Sequence, residues 1–131
     1  MSLPGQANVV AYTGPDGGVL VDGGSAGASD ALMKAVAGLP GGGPVHTIFN
    51  THWRPTHTGG NETVRGANTT IVAHELTRLW MSTEYYVDWE DRTYAPRVAA
   101  ALPTRTFYAS DPQPIALAFG DEKIELFILN L

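Results

Sequence analysis

Short β-rich runs alternate twice with helix-forming segments, and that alternation constrains the chain more than any other feature. His46-Thr47-Ile48-Phe49-Asn50 leads through a loop to Thr58-Gly59-Gly60-Asn61, which begins a short helix running to Arg65. Thr69-Thr70-Ile71-Val72-Ala73 leads directly into Glu75 to Met81, where Leu76, Leu79 and Trp80 make an apolar stripe. Strand, helix, strand, helix is the pattern of a sheet covered by helices.

The flanking segments extend this α/β reading. Asn8 to Thr13 and Val19 to Val21 bracket Gly14-Pro15-Asp16-Gly17-Gly18, in which proline presets its φ and glycine accepts a positive one, so residues 8–22 read as a hairpin. Asp22-Gly23-Gly24 ends it. Ser29-Asp30 opens a helix with an N-cap and an acidic first turn; Leu32, Met33, Val36 and Ala37 form its stripe, and Gly38 and Pro40 stop it. Residues 82–105 interleave Tyr85, Tyr86, Trp89 and Tyr94 with acidic residues, as in a surface segment pinned by its aromatics or an active-site lid. Residues 115–119 and 123–131 make a second hairpin. The nearly all-apolar run 124–131 is that of a strand inside a sheet with both faces covered.

At 131 residues the chain is read as a single domain, 1–131. A formal net charge of −5 argues against general nucleic-acid binding, which draws on positive charge. The absence of cysteine excludes disulfides, thiolate metal sites and thiol nucleophiles. No apolar run has the length of a bilayer span and no signal peptide is visible, so the expectation is no membrane association and a cytoplasmic location.

The chemistry-bearing segment is Asn50-Thr51-His52-Trp53-Arg54-Pro55-Thr56-His57-Thr58-Gly59-Gly60-Asn61. Two imidazoles five residues apart, in a loop after a strand, can converge on one point, and imidazole is the commonest protein ligand of zinc. The segment resembles the metal loop of the metallo-β-lactamase superfamily, His-x-His-x-Asp-His followed by Thr/Ser-Gly-Gly-Asn. Val21-Asp22-Gly23-Gly24 is similar to the family's Val-Asp-Thr/Ser-Gly turn, and Thr70 to Glu75 to the strand after the metal loop. The resemblance implies half of an αββα sandwich, a mixed sheet with helices on one face, corresponding to the N-terminal half of the family domain.

The departures shape the functional expectation. In register on His52 and His57, the family's second histidine is Arg54 and its aspartate is Thr56, and the later ligands belong to the half that this chain does not cover. His52 and His57 are then the candidate metal ligands, one for each of the family's two zinc sites. With so few donors no metal is expected to be tightly bound, and zinc is the ion if any is. A cation at Arg54 about 5 Å from a dication would cost roughly 6–7 kcal/mol at an effective ε of about 20. Asp22 is read as structural, His46 as exposed and His74 as a helix cap. Gly59-Gly60 is read as close strand–helix packing rather than an anion cradle.

Three functions follow from this reading. The first is a metallo-β-lactamase-like remnant without catalytic metal chemistry. The second is a zinc-dependent hydrolase of an ester, thioester or lactam, its site completed in trans. The third is a module binding a small ligand or a protein in a cleft lined by Trp53, Trp80, Tyr85, Tyr86 and Trp89. A half-sandwich exposes an apolar sheet face, so pairing of two copies through that face is expected.

Overall fold

The computed structural model describes residues 8–108, 110–111, 116–119 and 122–125. Its centre is a five-stranded sheet in the order β1-β2-β3-β4-β7. β1 (Val10–Gly14) and β2 (Gly17–Val21) form the expected antiparallel hairpin; β3 (Val45–Phe49), β4 (Thr70–His74) and β7 (Arg105–Phe107) continue in parallel. The sheet is therefore mixed. The helices are α1 (Ser29–Ala37), α2 (Pro55–Thr58), α3 (Asn61–Val64) and α4 (Glu75–Ser82).

The alternation of side chains along the strands sorts the core into two clusters. Leu20, Ile48 and Ile71 meet Leu32 and Val36 of α1 and Val64 of α3 on one face. Val19, Phe49 and Val72 make a separate cluster on the other face, with Phe107 and Ile124 packed against it and no helical residue in it. This is the one-sided arrangement expected from the sequence.

Several local expectations are corrected. Ser29 is the first residue of α1 rather than its cap; a 3-10 turn at Ala26–Ala28 precedes it, and the Ser29 hydroxyl turns back to donate to the Ser25 carbonyl at 3.4 Å. On α1 only Leu32 and Val36 of the four stripe residues are buried; Met33 and Ala37 face outward. On α4 the buried pair is Thr77 and Met81, four residues apart and so on one face, while Leu76 and Leu79 are about half exposed. The helix is rotated so that Trp80 stacks on Tyr85, ring centroids 5.2 Å apart.

The irregular segment 82–105 contains more structure than its sequence suggests. β5 (Tyr85–Val87) and β6 (Arg92–Tyr94) form a small antiparallel hairpin, and β7 follows as the edge of the main sheet. β8 (Ala116–Phe119) and β9 (Glu122–Glu125) make the second expected hairpin as a separate two-stranded sheet. The described start of the 124–131 run is thus not inside a doubly covered sheet. Ile124 is half-buried and packs on the Val19, Phe49 and Val72 cluster, and residues 126–131 lie outside the described residues.

Candidate metal centre

The loop that carries the two histidines is set by backbone bonds at the carboxyl end of the parallel strands. Asn50 N–H donates to Val72 O at 2.9 Å, and Asp22 N–H donates to Phe49 O at 2.7 Å, tying the ends of β2, β3 and β4 together. Asp22 takes a positive φ of 65°. Its carboxylate accepts from Thr51 N–H at 2.9 Å with one oxygen and from the Thr51 hydroxyl at 2.7 Å with the other. Both oxygens hold the loop, which is the structural role expected for Asp22.

Beneath the loop lies a polar pair that sequence reasoning did not single out. Asn50 and Asn61, both buried, exchange amide bonds: Asn50 Nδ2 donates to Asn61 Oδ1 at 3.1 Å, and Asn61 Nδ2 donates to Asn50 Oδ1 at 2.7 Å and to Ala101 O at 3.0 Å. The signal was available, since an asparagine stands at each end of the motif. The glycines between bring the backbones together. A Cβ on Gly60 would lie 2.1 Å from Gly23 O, and one on Gly59 would lie 2.5 Å from Pro55 O and 2.6 Å from Ala26 N. Close packing, as expected, is what these glycines provide. Thr58 is fully buried; its hydroxyl donates to Trp53 O at 2.9 Å and accepts from Arg97 Nη1 at 3.1 Å.

The upper side of the loop brings His52 and His57 together, ring centroids 4.0 Å apart and planes at 61°. His52 Nδ1 accepts the backbone N–H of Arg54 at 3.1 Å, and His57 Nδ1 lies 2.9 Å from the Thr56 hydroxyl. Burial, then the neighbouring His57 and Arg54, hold His52 below the usual imidazole range against the opposing pull of Asp22. His52 is therefore a neutral ring near pH 7. With Nδ1 accepting, its proton resides on Nε2.

Arg54 does not stand where the sequence placed it. Its guanidinium pairs with the Glu90 carboxylate at 2.5 Å and lies over the rings of Trp53 (5.0 Å) and Trp89 (5.9 Å). Among the influences on His52 it ranks last. Its charge is thus directed toward the β5–β6 hairpin and paired there, so the repulsion expected of an unpaired cation is reduced, although Arg54 still acts on His52. Glu90 is held below the usual carboxylate range by the Tyr94 hydroxyl and by Arg54, and Tyr94 is raised by the same bond.

Three of the five aromatic residues expected to line a cleft, Trp53, Trp80 and Tyr85, pack on one another instead. Trp53 meets Tyr85 and Tyr94 edge-on at 5.0 and 4.9 Å, and Trp80 stacks on Tyr85. Trp89 is 78% exposed and Tyr86 51%. The segment 82–105 is pinned to the body, and the Arg97 N–H bond to Met81 O at 2.7 Å adds to that. His74 is the helix cap expected of it, Nδ1 accepting from Leu76 N–H at 3.0 Å, and His46 lies beside the Thr47 hydroxyl at 2.7 Å.

A sequence model of the metallo-beta-lactamase superfamily matches residues 2–129. The chain belongs to that superfamily. Among solved structures, BJP-1, a subclass B3 metallo-beta-lactamase of Bradyrhizobium japonicum, superposes with a TM-score of 0.68 at 20% identity over 91% of this chain and 44% of its own. A metallo-beta-lactamase from Pontibacter korlensis gives 0.63 at 21% identity, over 89% and 46%. One from Cronobacter sakazakii, described by a HARLDQ motif, gives 0.65 at 19% identity, over 86% and 42%. These likenesses are likenesses of fold, and the chain spans less than half the length of each. Comparison with curated proteins gave no match.

The superfamily's zinc can be tested against these residues. Among the described residues no three His, Cys, Asp or Glu side chains are grouped so as to hold a metal ion. Both Asp22 oxygens are bonded to Thr51, Arg54 is paired with Glu90, and Thr56 offers a neutral hydroxyl. To offer a lone pair His52 would have to give up the Arg54 N–H bond, whether Nδ1 itself turned to the ion or took over the proton from Nε2. Two imidazoles so arranged do not fit a zinc centre, which takes three or four protein ligands around the ion.

Proposed function

We propose that this chain is a metallo-beta-lactamase-fold domain without self-sufficient zinc chemistry, a non-catalytic remnant of a hydrolase site. The donor set around His52 and His57 carries this reading. Arginine alone does not. In register on the shared histidine and arginine, the HARLDQ motif of the Cronobacter protein has its arginine where Arg54 stands, its aspartate at Thr56 and its glutamine at His57. The loss of an anionic donor at Thr56 is the sharper departure, because Asp22, the carboxylate that acts on His52, has both oxygens bonded to Thr51.

The test is zinc content and hydrolysis measured together on untagged protein. After equilibration with zinc and gel filtration, no stoichiometric zinc is retained, and a chromogenic cephalosporin is hydrolysed no faster than in buffer. Stoichiometric zinc with hydrolysis abolished in His52→Ala overturns the reading.

A second reading, pairing of two copies, draws on the sheet face away from the helices. Val10 and Tyr12 are 58% and 45% exposed there, beside a largely apolar cavity of about 310 Å³ that also touches Val19, Val21, Phe49, Lys123 and Ile124. The occupant we favour is a second copy of this chain, because one copy spans 42–46% of the structures above and two would span 84–92% of one. Light scattering gives a dimer mass at micromolar concentration, and Tyr12→Lys converts it to monomer. A wild-type monomer overturns pairing. Zinc retained by the dimer and lost in the Tyr12→Lys monomer would instead support a hydrolase site completed in trans.

A further inference from the structure

The positive charge of this acidic chain is not confined to the histidine loop. Arg65, at the end of α3, and Arg78, on α4, border one cavity of about 720 Å³ together with Ala99, Ala100, Leu102, Pro103, Thr104 and Thr106. That volume is in the range of small-molecule sites. The cavity is open at the surface, and among the described residues no acidic side chain lines it.

Both guanidinium groups are fixed by backbone carbonyls of the same segment. Arg65 Nη1 donates to Ala100 O at 3.2 Å, and Arg78 Nε donates to Pro103 O at 3.3 Å. Each bond uses one of a guanidinium's five N–H donors and leaves the others available. Glu62 and Glu75 stand three residues before the two arginines on their helices, and among the described residues neither arginine forms an ion pair. Arg54, by contrast, is neutralised by Glu90. The Thr104 hydroxyl is committed to Ile71, accepting from its N–H at 3.0 Å, whereas no described group bonds the Thr106 hydroxyl.

We propose that this cavity binds an organic phosphate monoester. The dianionic head would lie between the two guanidinium groups with Thr106 as a further donor, and the organic body would lie on Ala99, Ala100, Leu102 and Pro103. Two cations against one head favour a dianion over a monocarboxylate. An apolar floor favours an ester over the free ion, since burying the body adds the hydrophobic contribution that inorganic phosphate lacks. With a net charge of −5 the molecule as a whole repels anions, so binding here would come from the local geometry of the pocket. The cavity is lined by none of the residues of the histidine loop, and this inference stands apart from the reading of that loop.

The experiment is an NMR titration of the whole chain with phenyl phosphate, inorganic phosphate and benzoate, followed at backbone amides and arginine Nε–H groups. Phenyl phosphate is expected to shift residues 99–106 and the Arg78 Nε–H saturably, with the other two probes weaker. Loss of one guanidinium, in Arg65→Gln or Arg78→Gln, is expected to weaken phenyl phosphate about tenfold. Arg92→Gln, which removes an arginine that lies over Tyr94, leaves the affinity unchanged. Shifts that do not saturate, equal binding of benzoate, or an undiminished affinity in both cavity variants with amide spectra that remain folded overturns the proposal.

Discussion

The segment 50–61 has two sides that have fared differently. Its inner side, Asn50, Thr58, Asn61 and the supporting Asp22, is buried and bonded throughout; among the described residues no buried side-chain nitrogen or oxygen lacks a partner. Its outer side, His52, Arg54, Thr56 and His57, is half-buried or exposed and holds two imidazoles where a metal centre needs more donors. The inner groups bond to backbone and to each other, so they stabilise the fold. Of the outer groups only Arg54 is tied into the body by an ion pair, to Glu90. On the proposed reading, architecture and activity separate within a dozen residues: the buried groups hold the fold, and the donors that chemistry would use lie on the other side.

The most damaging way to probe that separation is Asn61→Ala. It leaves the Asn50 amide and the Ala101 carbonyl buried without partners, at about 1–3 kcal/mol for each group. A loss of about 3–4 kcal/mol in urea unfolding is expected, against less than about 0.5 kcal/mol for His57→Ala on the outer side. Similar losses for the two variants would show that the histidines belong to the scaffold after all.

Trp53→Ala tests the boundary between the two sides. Trp53 belongs to the loop, but its ring is held between Tyr85 and Tyr94 of the hairpin. Each aromatic pair contributes about 0.5–1.5 kcal/mol beyond burial, so a loss of about 2 kcal/mol is expected, with faster amide exchange at residues 85–94. Glu90→Gln, which removes the anion that Arg54 and Tyr94 share, should speed exchange at the same amides by less, because that pair faces solvent. It would also bring the Tyr94 hydroxyl back toward its ordinary titration range, observable in the ultraviolet difference spectrum.

What could be read in advance follows the same division. Short continuous apolar runs at Val19 to Val21, Ile48 to Phe49 and Ile71 to Ala73 reported the strands, because a sheet with apolar clusters on both faces selects apolar and β-branched residues at successive positions. Gly17, at a positive φ of 109°, reported the turn, and Gly59 and Gly60 before Asn61, in ordinary helical backbone, reported a close approach that a Cβ would block. Helix orientation was less legible. Leu76 and Leu79 carry the apolar signal of α4, yet Thr77 and Met81 are buried, because the hairpin that meets Trp80 lies outside the helix's own sequence. β7 was missed for a related reason: three residues, Arg105 to Phe107, are too few to show a period, and their strand character comes from pairing with β4. At the site, the residues were identified but not their partners. Nothing in the spacing of Arg54 and Glu90, thirty-six residues apart, announces that one neutralises the other.

The subtlest contrast within the outer side is electrical. Burial, with His57 and Arg54 adding to it, lowers the His52 pKa in the folded chain, whereas the unfolded chain keeps an ordinary imidazole. The unfolded state therefore binds a proton more readily below about pH 6.5, so the contribution of His52 is fully present above that value and is lost as pH falls toward the depressed folded pKa. Measured by urea unfolding from pH 7.5 to 5, the wild-type chain should lose stability with a steeper slope than His52→Gln, which has no proton to bind at that position. A slope unchanged by the substitution would mean that His52 is solvated as freely as in the unfolded chain. The outer side of the loop would then be looser than its ring contact at 4.0 Å implies.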